Sequence, residues 1–477
     1  MALSKKIGLF LGPLLFIILI NLPDLLPGKE LANAVIATAS WMIVWWITEA
    51  VSISVTALLP LVLFPSLDVM AIADVGANYG SPIIFLFFGG FVLALALEKV
   101  NLHKRIALTI IRITGTTPNK VVLGFMIATA ALSMWISNTA STVVMLPIAM
   151  SVISLLIHDQ DGFTKDDKNF ALSVMLGIAF SANAGGIATV IGTPPNSVLI
   201  GLLENQYQIE ISFLKWMTFG LPFSALLLFI CYWVLVKWMF PNNQLQFSAS
   251  RQVIQDELSK LGPTSGKEKM VLAIFGVTVF LWVFRTVING MIPSLGLSDT
   301  IISMTGAIAL FALPYNLRKG DFIIRWNDTS KLAWGILILF GGGLALANGM
   351  SSSGIVDVVS DAIAQSELSV LFTVSLLILL MLFMTELMSN VALVAVLAPV
   401  VAGIAIGLDI PMLHVLIPVT IASSCAFMLP MATPPNAIVF ASGYIEVHQM
   451  ARAGIILNLI SVALLIVMFQ FILPLLF

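Results

Sequence analysis

The chain has 477 residues, of which 59% are hydrophobic and only 10% charged, with a formal net charge of −2. Soluble domains carry about 25% charged residues, and the mean hydropathy here is +1.06, so the chain is an all-α polytopic membrane protein. The near-zero charge without a basic block excludes a nucleic-acid partner, and the lack of alternating ten-residue strands excludes a transmembrane β-barrel.

Lys5-Lys6 open the chain ahead of an apolar run from Ile7 to Leu22. Ala32-Asn33-Ala34 imitates a signal cleavage site, but Pro23, Asp24, Pro27, Lys29 and Glu30 separate it from that run, which predicts a retained first helix. Runs approaching the ~20 residues that cross a bilayer predict further spans near 31–48, 51–65, 80–97, 171–203, 218–236, 270–288, 299–316, 333–350, 412–443 and 453–475. That makes about 11 transmembrane helices. Two paired segments, 121–157 and 369–407, each return to the side they came from.

With the N-terminus cytoplasmic, 19 of the 22 Lys and Arg residues fall in cytoplasmic loops. The exceptions are Lys29, Lys215 and Arg285, the last within a span. The positive-inside rule therefore places the chain in the cell (inner or plasma) membrane, surrounded by lipid, with its C-terminus outside. Residues 98–120 mix basic and apolar side chains at helical spacing and are expected to lie flat on the cytoplasmic surface. His103 is expected there as a solvated side chain. Cys231 and Cys425 sit in apolar runs without CxxC spacing and read as small buried hydrophobes.

Polar residues interrupt the paired segments. Residues 134–147 read MWISNTASTVVMLP and residues 386–400 read ELMSNVALVAVLAPV, so Ser-Asn occurs at 137–138 and again at 389–390. Phe88-Gly89-Gly90 and Phe340-Gly341-Gly342 precede these Ser-Asn pairs by the same 49 residues. A third pair, ATVIGTPPNSVLI (188–200) and MLPMATPPNAIVF (428–440), breaks two long apolar segments with Pro-Pro. Proline removes a hydrogen bond and steric room inside a helix, and broken backbone at membrane depth survives only where protein or a watery cavity satisfies it. By the charge tally the two FGG spans run in opposite directions. The chain thus reads as two inverted-topology repeats, 1–240 and 270–477, joined by a polar linker, 241–269. Each holds a re-entrant hairpin (121–157, 369–407) and a broken helix (171–203, 412–443). Inverted repeats of this kind mark secondary transporters with a midplane site.

Ser and Thr hydroxyls, Asn side-chain oxygens and unwound carbonyls are neutral oxygen donors that suit a desolvated Na⁺. The second leg of each hairpin, starting at Thr139 or Val391, points its positive dipole end at the tip and favours an anion. The motifs contain no Lys, Arg, Cys or His. Bound cations and helix dipoles would have to neutralise that anion, which makes its binding cation-dependent.

From WWITEA (45–50) through SNT, GTPPN, SNV and ATPPN, the whole chain resembles the divalent anion:sodium symporter family, which moves dicarboxylates, citrate or sulfate. The resemblance implies sodium-coupled symport of succinate, malate or fumarate-type dicarboxylates into the cell, with Na⁺ as coupling ion, by a homodimer whose transport domain moves like an elevator. It implies one sodium site at Ser133, Ser137, Asn138 and Gly192, and a second at Thr385, Met388, Asn390 and Ala432. Substrate would touch Ser137, Asn138, Thr139, Ser389, Asn390 and Val391, with Thr193, Pro194, Thr433 and Pro434 lining the breaks. Many members that prefer four-carbon acids carry Thr in both third positions, whereas Val391 matches some citrate-carrying animal relatives. Citrate or sulfate symport, and sodium-independent exchange, are the alternatives. Exchange would call for a buried cation beside a motif, and none is present. Glu386 is a candidate for a coupling proton, an ion pair or a carboxyl at the hairpin surface. No HExxH, GxSxG or paired intramembrane aspartates point to an enzyme, and two symmetric half-sites suit alternating access better than a channel.

Overall fold

The computed structural model describes residues 3–23, 25–115, 117–157, 164–241, 250–316, 318, 320–366 and 368–477, with backbone alone at 155–157 and 250–252. Of the linker expected to join the halves, residues 242–249 lie outside the described residues, as does Lys319 of the charge tally. Apart from one short strand pair, Pro314–Asn316 with Asp321–Phe322, the described regular structure is helical. Seven described helices are long and apolar enough to cross a membrane, from Leu3–Ile20 to Val447–Leu476, and shorter apolar helices accompany them. This is a polytopic membrane fold.

The same order of helices occurs twice. Pro82–Lys99, Leu102–Thr114, the pair Pro118–Ser133 and Asn138–Ile157, the pair Lys165–Gly186 and Pro194–Tyr207, and Phe213–Trp233 form the first set. Trp334–Ser352, Ile355–Ala364, Val370–Thr385 with Asn390–Gly407, Met412–Ser423 with Pro434–Phe440, and Val447–Val467 form the second. The hairpin legs begin at Asn138 and Asn390, one residue earlier than the motif suggested.

Several expectations need correction. The span expected at 51–65 is two short helices, Ile53–Thr56 and Leu59–Ser66, followed by another at Ile72–Tyr79. Pro60 at the start of the second lacks the N–H that would bond back to Thr56 O, and so breaks what hydropathy alone read as one segment. His103 is not solvated: it is 6% exposed, and a ring nitrogen donates to Leu97 O at 3.0 Å. The helix Leu102–Thr114 turns His103 inward with Leu102, Ala107, Leu108 and Ile111. Ile355–Ala364, its counterpart in the second set, was not anticipated because its polar face carries two aspartates and no basic residue. The linker contains a helix, Ser250–Lys260, tied to Leu102–Thr114 by Lys104–Glu257 at 2.8 Å. Arg105 fixes the following turn, pairing with Glu268 at 2.6 Å and donating to Leu261 O and Gly262 O.

The FGG motifs are close-approach points. Gly89 faces the Ser303 backbone, and a Cβ there would lie 2.8 Å from Ser303 C. A Cβ on Gly342 would lie 2.8 Å from Ala57 Cα and closer still to Ala57 O. Backbone cannot yield as a flexible side chain does, and overpacking costs about 1–3 kcal/mol. Gly342→Ala should therefore lower the thermal midpoint of the detergent-solubilised protein, while Gly276→Ala, which meets nothing within 4 Å, should leave it unchanged.

Candidate ion and anion site

The first broken helix stops at Gly186 and resumes at Pro194, and the second stops at Ser423 and resumes at Pro434. Proline suits the first position of each second half because that N–H would have no helical partner anyway. The Asn of each PPN motif then bridges its own gap. Asn196 Nδ2 donates to Gly186 O (3.3 Å) and Thr189 O (2.9 Å), and Asn436 Nδ2 donates to Ala426 O and Leu429 O (both 3.1 Å). Trp216 Nε1 and Ser224 Oγ take the carbonyls of Ile187 and Ala184.

Asn183 joins the two breaks, donating to Ala426 O at 3.2 Å and Thr433 Oγ1 at 3.1 Å. Motif reading passed over it, although it is the one amide side chain between residues 171 and 190. Thr433 also accepts from Asn436 N, so its hydroxyl caps the half-helix Pro434–Phe440.

The first hairpin tip closes on the first break. Ser133 Oγ lies 2.7 Å from Ala182 O and 2.6 Å from the Asn138 amide. One hydroxyl proton cannot serve both, so it goes to Ala182 O and the amide turns its nitrogen inward. Nδ2 then donates to Ser133 Oγ (2.6 Å), Ala182 O (3.2 Å) and Gly192 O (3.3 Å). Half a turn of that amide would put Oδ1 in place of Nδ2, beside the oxygens of Ser133, Ala182 and Gly192, which makes this a candidate ligand set for a partly desolvated cation. The site is narrow: a Cβ on Gly186 would lie 2.6 Å from the Asn138 amide and 3.2 Å from Gly192 O.

The second tip repeats the pattern one residue type away. Thr385 Oγ1 lies 2.6 Å from the Asn390 amide and 2.7 Å from Ser423 O. Among the described residues, no hydrogen bond ties Met388 O or Ala432 O to this pair. Glu386 beside it is neither paired nor at the surface: at 3% exposure, its carboxylate accepts from Phe427 N (2.8 Å), Met428 N (3.0 Å), Leu429 N (3.1 Å) and Asn458 Nδ2 (2.7 Å). Its burial and its amide partners set aside the ion-pair and surface readings of Glu386.

The two halves interlock. The leg Asn138–Ile157 packs on Pro434–Phe440 of the second set, and Asn390–Gly407 packs on Pro194–Tyr207 of the first. Ser137 and Thr139 are exposed, and Ser137 Oγ accepts from Ala140 N at 3.1 Å, whereas Ser389, Asn390 and Val391 are half-buried. Val391 packs against both apolar clusters of the molecule. Thr193 is buried, Pro194 half-buried and Pro434 exposed. Each tip presents the N-terminal amides of a long helix, where an anion is stabilised.

The flanking helices differ between the halves. Ala395 is 2% exposed, and a Cβ on Gly343 would lie 2.8 Å from its Cβ. Val143, at the matching place in the first hairpin, is 52% exposed. A cavity of about 340 Å³ separates it from the helix Pro82–Lys99, lined by Leu95, Glu98, Lys99, Val143, Asp328 and Lys331 among others. Because the oxygen set at Asn138 depends on a glycine-wide gap, Gly186→Ala should abolish the cation-dependent rise in thermal midpoint. Asn138→Ala should raise the half-saturating cation concentration about tenfold, the loss of one hydrogen-bond-scale ligand to a charged group.

Residues 5–477 match the sodium:sulfate symporter transmembrane region. The chain is 39% identical to the sodium-dependent dicarboxylate transporter SdcS of Staphylococcus saprophyticus over 479 residues, covering 99% of this chain and 92% of the relative. It is 38% identical, with the same coverage, to SdcS of Staphylococcus aureus strain USA300. The crystal structure of the Alcanivorax borkumensis YdaH transporter has a similar fold, with a TM-score of 0.57 at 13% identity over 84% of this chain and 88% of that one.

Proposed function

The chain belongs to the sodium:sulfate symporter family, and from that premise we propose that it is a sodium-coupled symporter of four-carbon dicarboxylates. The observation that carries this reading is the Asn138 oxygen set, a cation site built without any charged side chain, beside helix N-termini that favour an anion. The two SdcS relatives, named as sodium-dependent dicarboxylate transporters, supply the ion and the substrate class.

In this reading Ser133, Ser137, Asn138 and Gly192 hold one sodium ion, and Thr385, Met388, Asn390 and Ala432 hold the second. The dicarboxylate lies between Ser137-Asn138-Thr139 and Ser389-Asn390-Val391, with Thr193, Pro194, Thr433 and Pro434 at the edges. Without Na⁺ the Asn138 amide offers a donor to the carbonyls; with Na⁺ its oxygen turns in, the tip charge becomes positive, and the anion gains affinity. Coupling is then a linkage between two sites, and it is reciprocal.

The repeats 1–240 and 270–477 have opposite membrane topology, with both hairpins re-entrant. Lys215 Nζ donates to Leu476 O and Lys29 pairs with Asp357; in this reading both contacts lie on the external side, as the charge tally expects. The cavity beside Val143 faces the cytoplasm, so this conformation is open inward and closed at Ala395. Exchange of these two states, with the hairpins and broken helices moving as one elevator-like body against the helices Pro82–Lys99 and Trp334–Ser352, carries the substrate across. The exposed apolar faces of Leu3–Ile20 and Gly266–Met291 are covered by lipid or by the second copy of a homodimer.

Proteoliposomes should take up labelled succinate only with an inward Na⁺ gradient; uptake undiminished without Na⁺ would reject symport. Phe91 and Val143 are the first-repeat counterparts of Gly343 and Ala395. Cysteines at both, in a background lacking Cys231 and Cys425, should crosslink and arrest transport only in the outward-open state. Val391→Thr adds a hydroxyl with little change of shape and should shift the succinate-to-citrate preference about threefold to thirtyfold toward succinate, measured by competition. An unchanged ratio would remove residue 391 from the substrate site.

A further inference from the structure

The two breaks are the same length in register but not in structure. Asn196 and Asn436 are 240 residues apart, as are the acceptors Gly186 and Ala426. Yet the first helix continues to Gly186, while the second stops at Ser423, about one turn short of the matching point. In the first break, Ile187 N and Ala188 N still bond back to Ala184 O and Gly185 O. Their counterparts, Phe427 N and Met428 N, together with Leu429 N, turn instead to the Glu386 carboxylate. In the first repeat, Glu386 is matched by Met134, which has no charge and contributes only its carbonyl, to Thr189 Oγ1.

We infer that Glu386 is a positioning and charge-bearing residue that makes the second cation site electrostatically stronger than the first. This rests on the symport reading above. Glu386 follows Thr385 directly, and the two clasp one unwound stretch: Thr385 Oγ1 holds Ser423 O, and the carboxylate holds the amides of 427–429. No lysine or arginine pairs with it among the described residues. Four hydrogen bonds hold the carboxylate in a low-dielectric interior without neutralising it, and the candidate cation site that adjoins it in sequence is the one at Thr385 and Asn390. The first site has no such fixed charge and relies on neutral oxygens and on the substrate anion itself. The second site should therefore fill first, at low Na⁺, and the first should fill together with the dicarboxylate.

Gly186 and Gly192, which leave no room for a Cβ, correspond to Ala426 and Ala432. The amides freed by stopping the second helix early are the ones Glu386 receives.

The test is a Na⁺ titration of the purified full-length protein, read by tryptophan fluorescence and thermal midpoint, alongside Na⁺-dependent uptake. Glu386→Gln keeps an oxygen for Phe427 N and Met428 N and removes the charge. It should weaken the higher-affinity Na⁺ step about tenfold and leave the substrate KM at saturating Na⁺ within twofold of wild type. Asn458→Ala keeps the charge and removes one donor, and its Na⁺ titration should stay within twofold. The inference fails if Glu386→Gln titrates like wild type, or if Asn458→Ala loses as much Na⁺ affinity as the charge-removing variant, which would make the bonding and not the charge decisive. The Asn458→Ala measurement stands even if Glu386→Gln does not fold. A wild-type protein that responds to Na⁺ in neither assay would instead overturn the symport reading.

Discussion

A helix broken inside a membrane leaves amides and carbonyls that water cannot reach, and each costs several kcal/mol unless protein supplies a partner. That constraint shapes this molecule around its centre. Asn196 and Asn436 each reach back across a gap to two carbonyls, Trp216 and Ser224 take two more, and Glu386 receives three amides. The hairpin legs and half-helices must pack crosswise to keep those partners in place.

Function follows from what the partners leave over. A break satisfied chiefly by side-chain amides and hydroxyls keeps several carbonyl oxygens facing inward. At Asn138 the carbonyls of Ala182 and Gly192 lie beside Ser133 Oγ within reach of the amide nitrogen, and in the proposed symport a cation takes that nitrogen's place. In the symport proposed above, an ion-driven turn of that amide places positive charge at the tip, so that an anion is held without a fixed positive charge and released when the ion leaves. A lysine at the tip would bind the anion more tightly and would forfeit that dependence.

The halves share a plan and differ in detail. Ser133 and Thr385 do the same work, as do Asn138 and Asn390. Glycine stands against glycine in one gap and alanine against alanine in the other, and a methionine in one repeat is a glutamate in its counterpart. The flanking contact is closed at Ala395 and open at Val143, so one chain holds both arrangements of a single structural unit.

Composition and the 49-residue register determined the membrane class, the doubled plan and the positions of the Ser-Asn turns and Pro-Pro breaks, because each depends only on local hydropathy or on proline's missing donor. The pairs Ser133–Asn138 and Thr385–Asn390 were implied only by the family resemblance, and the structure brings each pair to 2.6 Å. Partners distant in sequence were not legible. Asn183 meets Thr433 across 250 residues and Glu386 meets Leu429 across 43, and no periodicity records such pairings. His103 turned inward on the buried face it shares with Ala107 and Ile111, and the segment 51–65 divided at Pro60. The sequence thus determined which groups must be satisfied, while only the tertiary structure decided by whom: a buried polar group accepts any partner of matching donor or acceptor type, and the fold alone fixes which one comes within reach.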